Sequence, residues 1–505
     1  MLIKNAIIYD GTGNLPFKGD LIVNGSKIGK IDHHIDTMDN ESIDAEFLCI
    51  APGFINMHSH SDLEVFRNDK MEHVIRQGIT TEIIGQDGSS VAPVTDEIVT
   101  ELACNMAPLA GFLDKEYWWR SFDEYLKEVR KTNSAVRIES LVGHGTIRMC
   151  VMGNVNRRPK KSELRMMKEL TADCLKEGAK GVSFGLVYPP GSYAETEELI
   201  EIAKIVAKFD GITMVHMRDE GDNLLESIEE MAELVRKSKV RLNISHLKAL
   251  GPRNWGKIKL ALQRISELRE EGMDIGFDHY PYISGCTGLK RVVPDWAYQE
   301  GEQGFQARLK NKSVYIMILS EVKSRMQNIW GGAERIVINS VPLSGNEWMI
   351  GKKLTDIANK MNLLPEEAAL SILKISPSVT ANYFYGDEND IETAMKSPWQ
   401  TICTDGIVGV HPHPRTYASF PRVLGRYCRE KHFMSIEEAI RKMTAEPARR
   451  LRLWDRGLIR EGLSADLVLF DPIEIKDMNS YLEPKIFPEG IRAVWIKGKL
   501  IYSEL

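Results

Sequence analysis

Eight times along its length this sequence drives an apolar run into a polar end, and that rhythm constrains the fold more than any other feature. The runs are "FINMHSH", "TTEIIGQDG", "ESLVGHGTIR", "GVSFGL", "TMVHMRDEG", "LNISHLK", "DIGFDHYPY" and "TICTDG". Between most of them apolar residues recur at three and four, as in "ETEELIEIAKIVAKF" and "DNLLESIEEMAELVRKS", the spacing of an amphipathic helix. Alternating β and α units predict a parallel sheet with helices outside it, and eight of them predict an α/β fold of the (β/α)8 TIM-barrel type. In that fold functional side chains gather at the C-terminal ends of the strands.

The polar residues fall at those ends. His58 and His60 close the first run. Residues i and i+2 of a strand share a face about 6.6 Å apart, at ~3.3 Å per residue, so two imidazoles there can share a cation. Asp87, His216, His246 and Asp405 end other runs. One buried histidine is more often a hydrogen-bonded core group than a ligand, but six metal-competent side chains on one rim point to a metal site. Ser61 and Asp62 are placed to supply hydrogen bonds that fix the ring tautomers. His144 sits between glycines that suit a tight turn equally well, and His279 alternates with Asp278 and Tyr280, so both are set aside. His33, His34, His73 and His432 lie in polar or helical surroundings and are expected to be solvated.

The flanks read differently. β-like segments at 2–8, 20–24 and 27–32 are matched near the other end by "GLIREGLSADLVLFDP" and "GIRAVWIKGKLIYS". Neither end is long enough to bury a core alone, so residues 1–52 and 451–505 are expected to build one small β domain beside a barrel spanning 53–450. The stretch from about 286 to 398 is too long for an ordinary connection and implies an inserted subdomain over the barrel mouth. Its "SGCTGLKRVVPDW" permits either an apolar or an acidic substrate group.

With 43% hydrophobic and 27% charged residues over 505 positions, this is the composition of an ordinary soluble protein. A net charge of -6 without a lysine/arginine cluster disfavours nucleic acid and anionic membranes as partners and leaves small-molecule chemistry. The first residues have no signal-peptide pattern, and no run of about 18 apolar residues follows. Seven scattered cysteines without Cys-x-x-Cys spacing argue against a disulfide framework and fit a reducing cytoplasm.

The motifs "PGFINMHSHSD", "GQDGSSVAP", "GHGTIR", "GLVYPPGSYAETEELI", "HMRDEGDNLLESI", "ISHLKALGPRNWGK", "YPYISGCTGL", "HPRTYASFPRVLGRY" and "MTAEPARRLRL" together resemble the D-aminoacylases, the N-acyl-D-amino-acid deacylases of the amidohydrolase superfamily, over nearly the whole chain. The resemblance implies a metal-dependent barrel that hydrolyses the amide of N-acyl-D-amino acids. It implies that Asp87, His216 and His246 hold the tighter ion, that His58, His60 and Asp405 complete a second position, and that Asp405 shuttles a proton. Tyr188, Lys248, Tyr282 and Arg415 match positions that face the substrate.

Many relatives carry cysteine where this chain has Asp87. A carboxylate is harder than a thiolate, so one or two divalent ions are expected, zinc first, with Mn, Co or Fe also accommodated. Two alternatives stand beside this reading. One is a cyclic-amide hydrolase of the hydantoinase or dihydroorotase kind, which usually bridges its metals with a modified lysine on the fourth strand, where this chain reads "GVSFGL". The other is a non-catalytic binding protein of the same fold. Oligomeric state is not indicated.

Overall fold

The computed structural model describes every residue except 37–41, 69, 111–118, 133 and 343. All eight expected strands form, at Phe54–Asn56, Ile79–Ile84, Arg137–Ser140 with Val142–Gly143, Gly181–Gly185, Ile212–His216, Arg241–Ile244, Ile275–His279 and Gln400–Ile402. Each pairs in parallel with the next in chain order. The third strand is interrupted at Leu141, whose N–H still donates to Ile84 O at 2.9 Å. Past the eighth strand the chain meets the first again. Met57 N donates to Ile402 O at 3.4 Å and Asp405 N to His58 O at 2.9 Å, with a parallel bridge between Ser59 and Gly406.

Most of these strands are buried along their whole length. That is why they read as continuous apolar runs rather than alternating ones. Helices cover their outer faces. Thr196–Lys208 buries Leu199, Ile202, Ala203 and Val206, one stripe at three- and four-residue spacing, against the same core as Val182 and Phe184. Each large aliphatic side chain buried there contributes about 1.5–3 kcal/mol.

The two chain ends share one sheet. Leu2–Ile8, Phe17–Asn24 and Lys27–Asp32 run antiparallel, and Cys49–Pro52 joins Leu2–Ile8 in parallel. Leu467–Phe470 then pairs antiparallel with Cys49–Pro52 and carries Ile491–Ile496 and Lys499–Ser503 beyond it. One core, including Leu21, Ile50, Leu467 and Trp495, is drawn from both ends.

Between the seventh and eighth strands, Gly285–Gly288, Ile336–Ser340 and Thr380–Tyr383 form a small antiparallel sheet. Helices Gly301–Lys310, Lys312–Asn328, Leu354–Met361 and Pro365–Ile375 pack with it around Phe305, Ile318, Ile357 and Leu370, a hydrophobic core of their own. The helix Glu388–Lys396 belongs elsewhere, because Ala394 is buried in the core of the parallel strands.

All seven cysteines are unpaired, and no helix among the described residues is long and apolar enough to cross a membrane. His33, His34 and His432 are exposed as expected. His73 is not. It is buried in the short helix Glu72–Ile75, with its ring 5.7 Å from that of Tyr417, since the helix face it occupies turns inward.

Candidate metal centre and active site

The six residues expected as ligands converge. Their donor atoms fall into two buried groups, His58–His60–Asp87–Asp405 and Asp87–His216–His246, and Asp87 belongs to both. Asp87 Oδ1 lies 3.6 Å from His58 Nε2, 3.5 Å from His216 Nδ1 and 3.5 Å from His246 Nε2, while Oδ2 lies 3.8 Å from His60 Nε2. Zinc–donor bonds of about 2.0 Å in a tetrahedron set donors about 3.3 Å apart, close to these spacings. His58 Nε2, His216 Nδ1 and Asp87 Oδ1 are buried and have no hydrogen-bond partner. Buried polar atoms are otherwise nearly always paired, so this donor set fits a cation. Burial pushes the His58 pKa down to about 3, which keeps the ring neutral and able to ligate.

The local backbone is bent to make this possible. Asp87, His246 and Asp405 all take positive φ, at 55°, 36° and 46°, so the chain turns over just where each strand ends. Around Asp87 glycine is required. A Cβ on Gly85 would sit 2.0 Å from Leu141 O, and one on Gly185 would sit 1.9 Å from Asp87 O.

Asp405 joins the donors to the rest of the pocket. Its Oδ1 is 3.1 Å from His60 Nε2, and its Oδ2 accepts from Arg415 Nη1 at 2.8 Å. Burial alone would raise its carboxyl, but the Arg415 guanidinium and the His60 bond hold it well below the usual carboxylate range. Arg415 is itself 1% exposed, donates from Nη2 to Cys286 O at 3.1 Å, and lies 4.4 Å over the Tyr280 ring. His413 Nδ1 accepts the Arg415 backbone N–H at 3.0 Å.

A pocket opens against these donors, with His60, Asp87, His216, His246 and Asp405 on its wall. Tyr188, Lys248 and Arg415, which the resemblance matches to substrate-facing positions, are among the residues that line it. Tyr282 does not. Its ring packs edge-on to His413 at 5.3 Å and under Arg422 at 4.7 Å, and Tyr280, two residues earlier, lines the wall in its stead. The strand ends at His279 and Tyr282 N bonds back to Tyr280 O, so two-residue alternation fails there. The inserted subdomain supplies Arg291, Trp330, Tyr383 and Tyr385, and so closes one side.

Two partners differ from expectation. Ser61 Oγ pairs with Ser59 Oγ at 2.9 Å, and Asp62 Oδ1 accepts Gly85 N–H at 3.0 Å, so these two residues brace the first two strand ends instead of the imidazoles. The carboxylates beside the imidazoles are Asp278, 3.8 Å from His58 Nδ1, and Glu220, which touches both His216 and His246. Glu220 follows His216 by four residues in "HMRDEG", and the need of each ligating ring for a partner on its other nitrogen was the signal for it. His144 lies outside both donor groups, buried, with Nε2 2.8 Å from Glu198 Oε1. His279, the strand neighbour of Asp278, is likewise buried and outside them.

Two donor groups sharing a carboxylate, at the C-terminal ends of parallel strands, define a protein built around a metal centre. The chain matches the amidohydrolase family model over residues 41–310 and 360–502. It is 32% identical to the D-aminoacylase of Alcaligenes xylosoxydans xylosoxydans, over 100% of this chain and 94% of that protein. A crystal structure of N-acyl-D-glutamate deacylase from Bordetella bronchiseptica, complexed with zinc and a phosphonate mimic of the tetrahedral intermediate, superposes with a TM-score of 0.87 at 28% identity, covering 100% of this chain and 96% of that one. A solved D-aminoacylase described by its binuclear metal center, with one-metal activation and second-metal attenuation, superposes at 0.84 with 28% identity and the same coverage. The chain belongs to the amidohydrolase family and, within it, to the D-aminoacylases.

Proposed function

We propose that the chain is a metal-dependent deacylase that hydrolyses the linear amide of N-acyl-D-amino acids, releasing a carboxylate and the free D-amino acid. The observation that carries this reading is the position of Asp405, one oxygen against the His60 donor and the other on Arg415, at the wall of a pocket that also presents Lys248 and Tyr188. His58, His60, Asp87 and Asp405, with His216 and His246, would hold one or two divalent ions, zinc by preference with Mn, Co or Fe accommodated, which would supply Lewis acidity to the amide carbonyl and to water. Asp405, held in its charged form, accepts the proton of the attacking water and delivers it to the amine nitrogen, which leaves poorly unless protonated.

An N-acyl amino acid also carries a free α-carboxylate. Arg415 and Lys248 supply cationic donors for it, and Tyr188 and Tyr280 supply hydroxyls for the carboxylate or the acyl oxygen. The relatives named for D-aminoacylase, N-acyl-D-aspartate and N-acyl-D-glutamate deacylation support this chemistry. The fourth strand, Gly181–Gly185, carries no lysine to act as the bridge of the cyclic-amide kind. Lys180 precedes the fourth strand, 3.4 Å from Glu139, and Asp87 stands between the donor groups.

We read the architecture as a closed (β/α)8 barrel at 53–450, carrying the inserted subdomain, with a small β domain from residues 1–52 and 451–505. The bonds from Met57 and Asp405 across to the opposite strand support closure. The unpaired cysteines support a reducing cytoplasm. The test is a screen of N-acyl-D- and N-acyl-L-amino acids and cyclic ureides, with metal content measured in parallel. Release of D-amino acids by the metal-loaded protein is expected. Ring opening of ureides without deacylation, or no turnover by a fully loaded protein, would overturn the reading.

A further inference from the structure

Glu220 is buried, at 6% exposure, and meets three side chains of the site. Its Oε2 is 3.3 Å from His216 Nε2, and its Oε1 is 3.1 Å from His246 Nδ1 and 2.6 Å from Lys248 Nζ. Both rings turn their remaining nitrogen to Asp87 Oδ1, at 3.5 Å in each case. One carboxylate therefore faces the back of both imidazoles in the three-residue donor group. The two rings use opposite nitrogens, His216 ligating through Nδ1 and His246 through Nε2, so no single backbone register makes them equivalent. Their shared carboxylate does.

His246 faces a competition. Lys248 Nζ lies 2.6 Å from the same Nδ1. If the ammonium donates to Nδ1, the ring proton must sit on Nε2, the nitrogen aimed at Asp87, and His246 cannot ligate. If Nδ1–H donates to Glu220 Oε1, Nε2 keeps its lone pair. We propose that Glu220 is a positioning residue that sets the tautomer and aim of both His216 and His246 and withholds the Lys248 ammonium from His246. It leaves Lys248 anchored at the pocket wall. This inference rests on the metal centre proposed above.

A carboxylate offers acceptors on both oxygens, whereas a glutamine of the same shape offers one acceptor and one donor. The two imidazole N–H groups need two acceptors, so even the isosteric Glu220→Gln must set a donor against one of them. The experiment is zinc binding to metal-free protein by competition with a chelator, for wild type, Glu220→Gln and Lys248→Met, with steady-state kinetics of the zinc-loaded forms. Glu220→Gln is expected to weaken zinc binding 10–100-fold, the usual effect of losing a carboxylate behind a ligating histidine. Lys248→Met is expected to keep wild-type zinc affinity while raising KM. Wild-type zinc affinity in Glu220→Gln would overturn the inference. So would an equal loss in Lys248→Met, which would mean that Glu220 acts only as the counter-ion of the lysine. If the glutamine variant fails to fold, Glu220→Asp, which draws both acceptors back by one methylene, takes its place, and wild-type zinc affinity in it would likewise overturn the inference. A wild-type protein that binds no zinc would instead strike down the metal reading itself.

Discussion

Replacing Asp405 by Asn changes one atom and removes one charge, at the point where the donor set meets the substrate pocket. In the native site its two oxygens serve different masters, Oδ2 at 2.8 Å from Arg415 and Oδ1 at 3.1 Å from His60. At an effective dielectric of about 20, unit charges about 2.8 Å apart attract by about 6 kcal/mol, a gross figure that the desolvation of both groups largely offsets. The amide oxygen can still accept from Arg415, so the net stability loss is that of one charge-assisted bond, about 1.5–3 kcal/mol. Catalysis should suffer more. Without a base for the attacking water or an acid for the amine, kcat is expected to fall about 10²–10⁴-fold, equivalent to about 2.7–5.5 kcal/mol of barrier. Asp405 belongs only to the group of four, so Asp87, His216 and His246 keep their full set and at least one ion should remain bound. The assay is kcat and KM for an N-acyl-D-amino acid, with metal content and thermal unfolding on the same preparation. Turnover within tenfold of wild type at full metal content would refute the role assigned to Asp405.

Asp87→Ala takes a donor from both groups at once, so metal and activity should disappear together in elemental analysis and deacylation assays, whereas Asp87→Cys should retain binding with a shift toward zinc. Arg415→Met should raise KM for carboxylate substrates and leave an amidated substrate comparatively unaffected; equal losses on both would point to a folding role instead. The same variant leaves Asp405 buried without its main counter-charge, so its carboxyl pKa must rise, and the acidic limb of the kcat/KM profile should move to higher pH. Gly185→Ala brings a methyl within 1.9 Å of Asp87 O, and metal content should fall in that variant although residue 185 carries no donor.

The parallel strands were legible because burial on both faces leaves unbroken apolar runs, and the clustered His and Asp side chains because strand ends concentrate them. Pairing of the two chain ends could be anticipated from their shared β pattern and insufficient length. Less of the inserted subdomain showed. Its long helix Lys312–Asn328 buries Ile318, Val322 and Met326, a narrow stripe against a core that no local pattern announces. Tyr282 was matched to the substrate by the family resemblance, but the strand stops at His279 and it is Tyr280 that lines the pocket. His73 read as polar because its neighbours are, while its own face of a one-turn helix is covered by Tyr417.

What remained hidden at the site is the part that depends on the backbone leaving its regular path. A donor side chain on a residue that continued its strand would point along the row of its neighbours, but Asp87, His246 and Asp405 each adopt a left-handed conformation. Such conformations cost about 1–3 kcal/mol for a residue with a side chain and persist only where the surroundings enforce them. At Asp87 the enforcement comes from Gly85, Gly88 and Gly185, where added methyl groups would strike backbone atoms. At Asp405 it comes from the bond between its N–H and His58 O, together with the Arg415 pair. At His246 the backbone N–H donates to Asp278 Oδ1 at 2.8 Å, while the ring is met by Glu220. Each bent donor residue thus has its own brace, drawn from a different strand end, and a donor set whose braces lie that far apart in sequence becomes visible only once the chain is folded.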